Sequence, residues 1–90
     1  MSYRLIYAKS VAKDLADIPG ENRRRVWERI NMLAENPLPP GVESLSGDLA
    51  GVKRVRVGNY RIGYVISGDV VEALLIDDRS TFYQRLRRKR

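Results

Sequence analysis

The chain contains no cysteine and no histidine. The first absence excludes a disulfide framework and a thiolate nucleophile; the second removes the commonest general base and the commonest metal ligand. Zinc enzymes and Ser-His or Cys-His hydrolases are thereby excluded, and neither a metal nor an organic cofactor is expected. No apolar run approaches the ~20 residues that span a bilayer. The stretch Met1-Ser2-Tyr3-Arg4-Leu5-Ile6-Tyr7 lacks the long apolar region of a secretory signal. A cytoplasmic protein with no membrane partner is expected.

Acidic residues are in the minority, 11 against 17 Lys and Arg, which leaves a formal net charge of +6. Such an excess suits a polyanion, because neutralising phosphates releases counterions and drives association. An acidic protein partner would favour the same surface. With 43% hydrophobic and 31% charged residues the chain has the balance of a folded domain rather than a disordered one. Its 90 residues accommodate one domain, 1–90, built from a single pair of helix and sheet layers.

Tyr3-Arg4-Leu5-Ile6-Tyr7 is rich in aromatic and branched residues and reads as a first strand ending before Ser10, which has the chemistry of an N-cap. Val11, Leu15 and Ile18 then form one stripe of a short helix that Pro19-Gly20 terminates. From about Glu21 to Glu35 the positions Val26, Ile30, Leu33 and Ala34 make a second stripe, with Arg23, Arg24, Arg25, Glu28 and Arg29 covering the remaining surface. The short break between the helices predicts an antiparallel helical hairpin. Asn36-Pro37-Leu38-Pro39-Pro40-Gly41 stops it.

Three strand-like runs come next, Val52 to Val57, Tyr60 to Ser67 and Val70 to about Ile76, separated by the two-residue turn signals Gly58-Asn59 and Gly68-Asp69. Val42 to Leu45 suits a short edge piece. Ser80 to Arg90 carries Phe82, Tyr83 and Leu86 in a helix-compatible pattern and ends in a basic tail. The predicted class is α+β in the order βααβββ: an antiparallel sheet that the first strand joins, the helical hairpin packed on one face, and a short C-terminal helix. Function is left to the other face.

A two-residue loop at Gly58-Asn59 would set Val57 opposite Tyr60, Arg56 opposite Arg61, Val55 opposite Ile62 and Arg54 opposite Gly63. Alternation then clusters the three arginines on one face and turns Val55, Val57, Ile62 and Ile66 to the other. Gly63 would leave open space beside Arg54. Adjacent cations repel, so a structural explanation needs an acidic neighbour such as Glu72, Asp77 or Asp78; the functional one is an anion site. Arg79 and Tyr83 lie four apart, and on a helix they would share one face and approach the open side of the sheet.

Ala12-Lys13-Asp14-Leu15, Asn36-Pro37, Leu45-Ser46-Gly47-Asp48-Leu49, the block Arg54-Val55-Arg56-Val57-Gly58-Asn59-Tyr60-Arg61-Ile62-Gly63-Tyr64 and Asp78-Arg79-Ser80-Thr81-Phe82-Tyr83 together resemble the RelE/ParE toxin superfamily over nearly the whole chain. The arginine-valine block is the most specific part and is similar to RelE-type members, which are ribosome-dependent messenger RNA endonucleases. ParE-type relatives share the fold and poison DNA gyrase. The resemblance implies the toxin of a type II toxin-antitoxin pair, with a cognate antitoxin, the ribosome and messenger RNA as partners.

By motif match it also implies Arg54, Arg61, Arg79 and Tyr83 as the catalytic set and Arg56 as a phosphate contact or support. Lys53, Arg85, Arg87 and Arg88 are the further basic residues available to RNA. The implied reaction is attack of a ribose 2′-hydroxyl on the adjacent phosphate without a metal: Arg61 holds the phosphorane, Arg79 serves the leaving oxygen and Tyr83 orients or stacks the nucleotide. Some family members carry lysines where this chain has Val52 and Arg54, and arginine is a poor proton acceptor. Lys53 points to the other face unless a bulge shifts the register. Either Tyr83 is the base, or a ribosomal group assists, or catalysis is weak. The alternatives are a gyrase inhibitor and a non-catalytic nucleic-acid or protein binding module.

Overall fold

Branched and aromatic runs punctuated by glycine, and two apolar stripes of helical period, become eight elements in a computed structural model that describes residues 2–89. They are β1 (Arg4–Tyr7), α1 (Ser10–Ala16), α2 (Gly20–Met32), β2 (Glu43–Ser44), β3 (Lys53–Val57), β4 (Tyr60–Ser67), β5 (Val70–Asp78) and α3 (Phe82–Lys89), with a 3₁₀ turn Gly47–Leu49 before β3. Among the described residues no helix is long and apolar enough to cross a membrane.

The sheet order is β1-β5-β4-β3-β2. Gly58 and Gly68 occupy the first position of the two tight loops with φ of 61° and 59°, the conformation a type II′ hairpin requires and glycine adopts without strain. The meander is antiparallel, as is the β2 edge piece, but β1 runs parallel to β5, so the sheet is mixed rather than wholly antiparallel. The seat of α1 accounts for this direction. Where β1 stops, α1 takes over the edge of β5: the Ser10 hydroxyl donates to the Leu74 carbonyl at 3.3 Å, and the buried Asp14 carboxylate accepts the Ile76 N–H at 3.1 Å. Ser10 is therefore not an N-cap; Lys9 holds the capping position without a side-chain bond. The second helix ends at Met32, and residues 33–35 continue it only as turns.

Val11, Ile18, Val26, Ile30 and Leu33 of the helical hairpin bury against Val55, Ile62, Tyr64, Val71, Ala73 and Ile76 of the sheet. The register skips Leu74, since Gly63 pairs with Leu75 and Tyr64 with Ala73. That extra residue resets the alternation, so Ile76 joins the hairpin core while Leu75 turns to the opposite face. There Leu49, Val52, Leu75, Phe82 and Leu86 form a second apolar cluster. The face expected to lie open is thus partly covered by α3.

Candidate nucleic-acid interface

The register of β3 on β4 is the one the two-residue loop implies: Arg54 opposite Gly63, Arg56 opposite Arg61, Val57 opposite Tyr60. β2 and β5 extend these pairs into rows, because Glu43 pairs with Arg54, Leu75 with Gly63 and Asp77 with Arg61. One row across the face of α3 therefore reads Glu43, Arg54, Gly63, Leu75, and the next reads Arg56, Arg61, Asp77. Direct cross-strand neighbours sit about 5 Å apart at Cβ and diagonal ones about 7 Å, so Arg54, Arg56 and Arg61 form one cationic group.

Gly63 does not leave open space. A Cβ at that position would come within 3.0 Å of Phe82 Cζ and 3.7 Å of Leu86 Cδ1, so the missing side chain is what lets α3 lie on the sheet. Phe82 and Leu86, one turn apart, dock there, and the flanks of α3 are fixed by polar contacts. On one flank Arg85 binds Asp14 at 2.9 Å and Asp77 at 3.2 Å; on the other Arg87 meets Asp48 at 3.3 Å and the Tyr83 hydroxyl accepts a bond of 3.1 Å from Arg54 Nη1. Tyr83 also stands edge-on to Phe82, ring centroids 5.1 Å apart.

Arg54 is held from its other side by the Glu43 carboxylate, and its side chain is 12% exposed against 61% for Glu43. Arg54 Nε, Arg61 Nε and Arg61 Nη1 are buried with no hydrogen-bond partner among the described residues. Buried donors are paired in the great majority of cases, and a charged one left unpaired costs more than a neutral one. The expected neutralising carboxylates do not supply these bonds. Asp77 binds Arg85 and the Thr81 hydroxyl, Asp78 accepts from Ser80 and Thr81, and Glu72 has no side-chain bond among the described residues. Asp78 is held below its ordinary range chiefly by the Ser80 hydroxyl and N–H.

The structure thus brings Arg54 and Tyr83 into contact and places Arg61 and Arg56 beside them. Arg79 lies at the rim, in the turn before α3, its backbone N–H bound to the Asn59 carbonyl at 3.0 Å; it does not share a helix face with Tyr83. Lys53 pairs with Tyr64 and so points to the helical-hairpin face, away from the arginines, because the bulge lies on β5 and leaves β3 in register. Arg85 and Arg87 are engaged by carboxylates, Arg87 in an exposed pair with Asp48; Arg88 is exposed without an ion pair among the described residues, and Arg90 lies outside them. Glu43 is the member of the site that no sequence pattern marks. Its pairing with Arg54 spans a connection with a 3₁₀ turn, for which no short loop fixes the register.

Residues 5–83 match the family described as ParE toxin of type II toxin-antitoxin system, parDE. The chain belongs to the RelE/ParE superfamily of type II toxins. It is 32% identical over 84 residues to Toxin RelE3 of Methanocaldococcus jannaschii, covering 89% of this chain and 94% of the relative. Among solved structures it resembles a toxin in the RelBE2 toxin-antitoxin complex of Mycobacterium tuberculosis, with a TM-score of 0.78, 28% identity and 88% and 100% of the two chains covered. It also resembles one from the archaeal RelE-RelB complex of Pyrococcus horikoshii, at 0.75, 31%, and 89% and 98%. The α+β fold of this RelE-like toxin is shared with both.

Proposed function

We propose that this toxin is a cytoplasmic, ribosome-dependent endoribonuclease that cuts messenger RNA and so stops translation. The observation that carries the reading is the set of buried, unpartnered guanidinium nitrogens of Arg54 and Arg61 on the Tyr83 side of the sheet. A phosphodiester supplies the acceptor oxygens these donors lack, and their charge stabilises a dianionic phosphorane more than the monoanionic ground state.

In the proposed reaction the ribose O2′ attacks the adjacent phosphorus and gives its proton to a base. The P–O5′ bond breaks and O5′ takes a proton from water, leaving a 2′,3′-cyclic phosphate and a 5′-hydroxyl. Arg61 and Arg54 hold the non-bridging oxygens, with Arg56 beside them. Arg79, exposed at the rim, meets the leaving oxygen. Tyr83, fixed by Arg54, orients the nucleotide. Glu43 and the Tyr83 hydroxyl, both held by Arg54, are the two groups of this chain placed to take that proton, Glu43 being the more basic type of side chain at neutral pH. Arg88 adds a contact to the RNA backbone.

Relatives in the Mycobacterium tuberculosis and Pyrococcus horikoshii structures are complexed with RelB-type partners. We take an antitoxin to hold this chain silent in the same way. Primer extension across a reporter transcript in a translating extract tests the reading. New 5′ ends that need both this protein and ongoing translation support it; intact transcripts with blocked gyrase supercoiling would replace it with the ParE-type activity.

A further inference from the structure

Arg61 stands between a cation and a carboxylate. Arg56 is opposite it on β3 and Asp77 opposite it on β5, each about 5 Å away at Cβ. Repulsion by Arg56 and attraction by Asp77 act in the same direction, so an Arg61–Asp77 ion pair is the arrangement that elementary electrostatics favours. It is not formed. Among the described residues Arg61 has no ion pair, and its Nε and Nη1 are buried without a partner.

Asp77 is turned away because its carboxylate is already occupied. Oδ2 accepts the Thr81 hydroxyl at 2.5 Å and meets Arg85 Nη1 at 3.2 Å, while Oδ1 accepts the Asp78 N–H at 2.8 Å. Arg85 is itself held from behind: its Nη2 binds Asp14 Oδ1 at 2.9 Å, and the other Asp14 oxygen accepts the Ile76 N–H on β5. Residues of α1, α3 and the turn before α3 thus combine to hold the carboxylate placed to neutralise Arg61. Had the two half-buried charges paired with each other, a phosphate would have to displace one anion before binding in its place. Keeping the carboxylate occupied keeps the guanidinium available.

We propose that Arg85 is a positioning residue for Arg61: by binding Asp77 it withholds the competing carboxylate and leaves the Arg61 donors open to phosphate. Thr81 shares the task through its hydroxyl, and neither residue touches a reacting atom. The inference rests on the reading of Arg61 as a phosphate contact, and it gives two residues outside the arginine cluster control over its affinity for anions.

The test follows the Arg61 Nε–H signal of the full chain by NMR, assigned by its absence in Arg61→Lys, during titration with inorganic phosphate; it needs neither ribosome nor cleavage. The wild-type signal is expected to move with phosphate. Arg85→Met should shift it before any phosphate is added, as the Nε–H gains Asp77, and should weaken the phosphate response about tenfold. Adding Asp77→Asn to Arg85→Met should restore the response to within about threefold of the wild type, a rescue that lost packing around α3 would not allow. Thr81→Val leaves Arg85 in place and should weaken the response about threefold. A signal and response unaltered in Arg85→Met, or in Thr81→Val where the first variant does not fold, would overturn the proposal. So would a deficit in Arg85→Met that Asp77→Asn fails to relieve. A wild-type signal indifferent to phosphate would instead overturn the phosphate reading beneath it.

Discussion

Arg54 Nη1 donates to the Tyr83 hydroxyl across 3.1 Å, tying the central strand pair to the first turn of α3. Tyr83→Phe removes the acceptor and leaves the ring. The expected stability loss is about 0.5–1.5 kcal/mol, and the expected loss of cleavage rate on programmed ribosomes is on the order of 10²-fold. A loss confined to stability would make the bond a structural strut.

Gly63 and Phe82 share one space. Gly63→Val would force the aromatic ring, and α3 with it, off the sheet. Overpacking of this kind costs about 1–3 kcal/mol, read as a lower urea midpoint, and it should break the Arg54-Tyr83 contact and cleavage together. Phe82→Ala acts from the opposite side by emptying the second cluster, at about 3–5 kcal/mol.

Arg85 joins α3 to two carboxylates, Asp14 at 2.9 Å and Asp77 at 3.2 Å. Asp14 is 5% exposed, but Arg85 is 36% exposed and partly screened. Arg85→Ala is therefore expected to cost about 1–3 kcal/mol, below the range for a fully buried pair. Hydrogen exchange should show faster opening of residues 82–89 with the main core unchanged, and adding Asp14→Ala should cost less than the two single changes summed.

Burial pushes the Tyr64 phenol up to about 12. A phenol whose pKa is raised on folding contributes stability below its unfolded value, 10.0, and that contribution is lost as pH rises through the folded value. Thermal melts should thus show declining stability between pH 10 and 12, with the phenolate absorbance of this residue appearing only as the chain unfolds. Tyr64→Phe should flatten this alkaline limb, and it should loosen the proline loop by removing the bond that the hydroxyl donates to the Pro37 carbonyl.

Much of the site is legible in the sequence because a two-residue loop leaves few registers open. Gly58-Asn59 alone places Arg54, Arg56 and Arg61 on one face, as found. Gly63 reads as space because a sequence displays a missing side chain and not the ring that fills it. Arg79 and Tyr83 have helical spacing, yet Ser80 and Thr81 bond the Asp78 carboxylate, and α3 begins only at Phe82. Arg85 has the look of a basic tail; its partner Asp14 lies 71 positions away, beyond any local pattern. Glu43 and the parallel seat of β1 depend in the same way on long-range packing.

The most direct test is single-turnover cleavage of messenger RNA on purified ribosomes, comparing the wild-type chain with Arg61→Ala and with a transcript carrying a 2′-deoxyribose at the cut site. The expected result is a fall on the order of 10²- to 10³-fold for Arg61→Ala, no cleavage of the deoxy transcript, and 2′,3′-cyclic phosphate ends from the wild type. Wild-type rates from Arg61→Ala, or cleavage of the deoxy transcript, would contradict the assignment of the half-buried arginines to a phosphate undergoing 2′-hydroxyl attack.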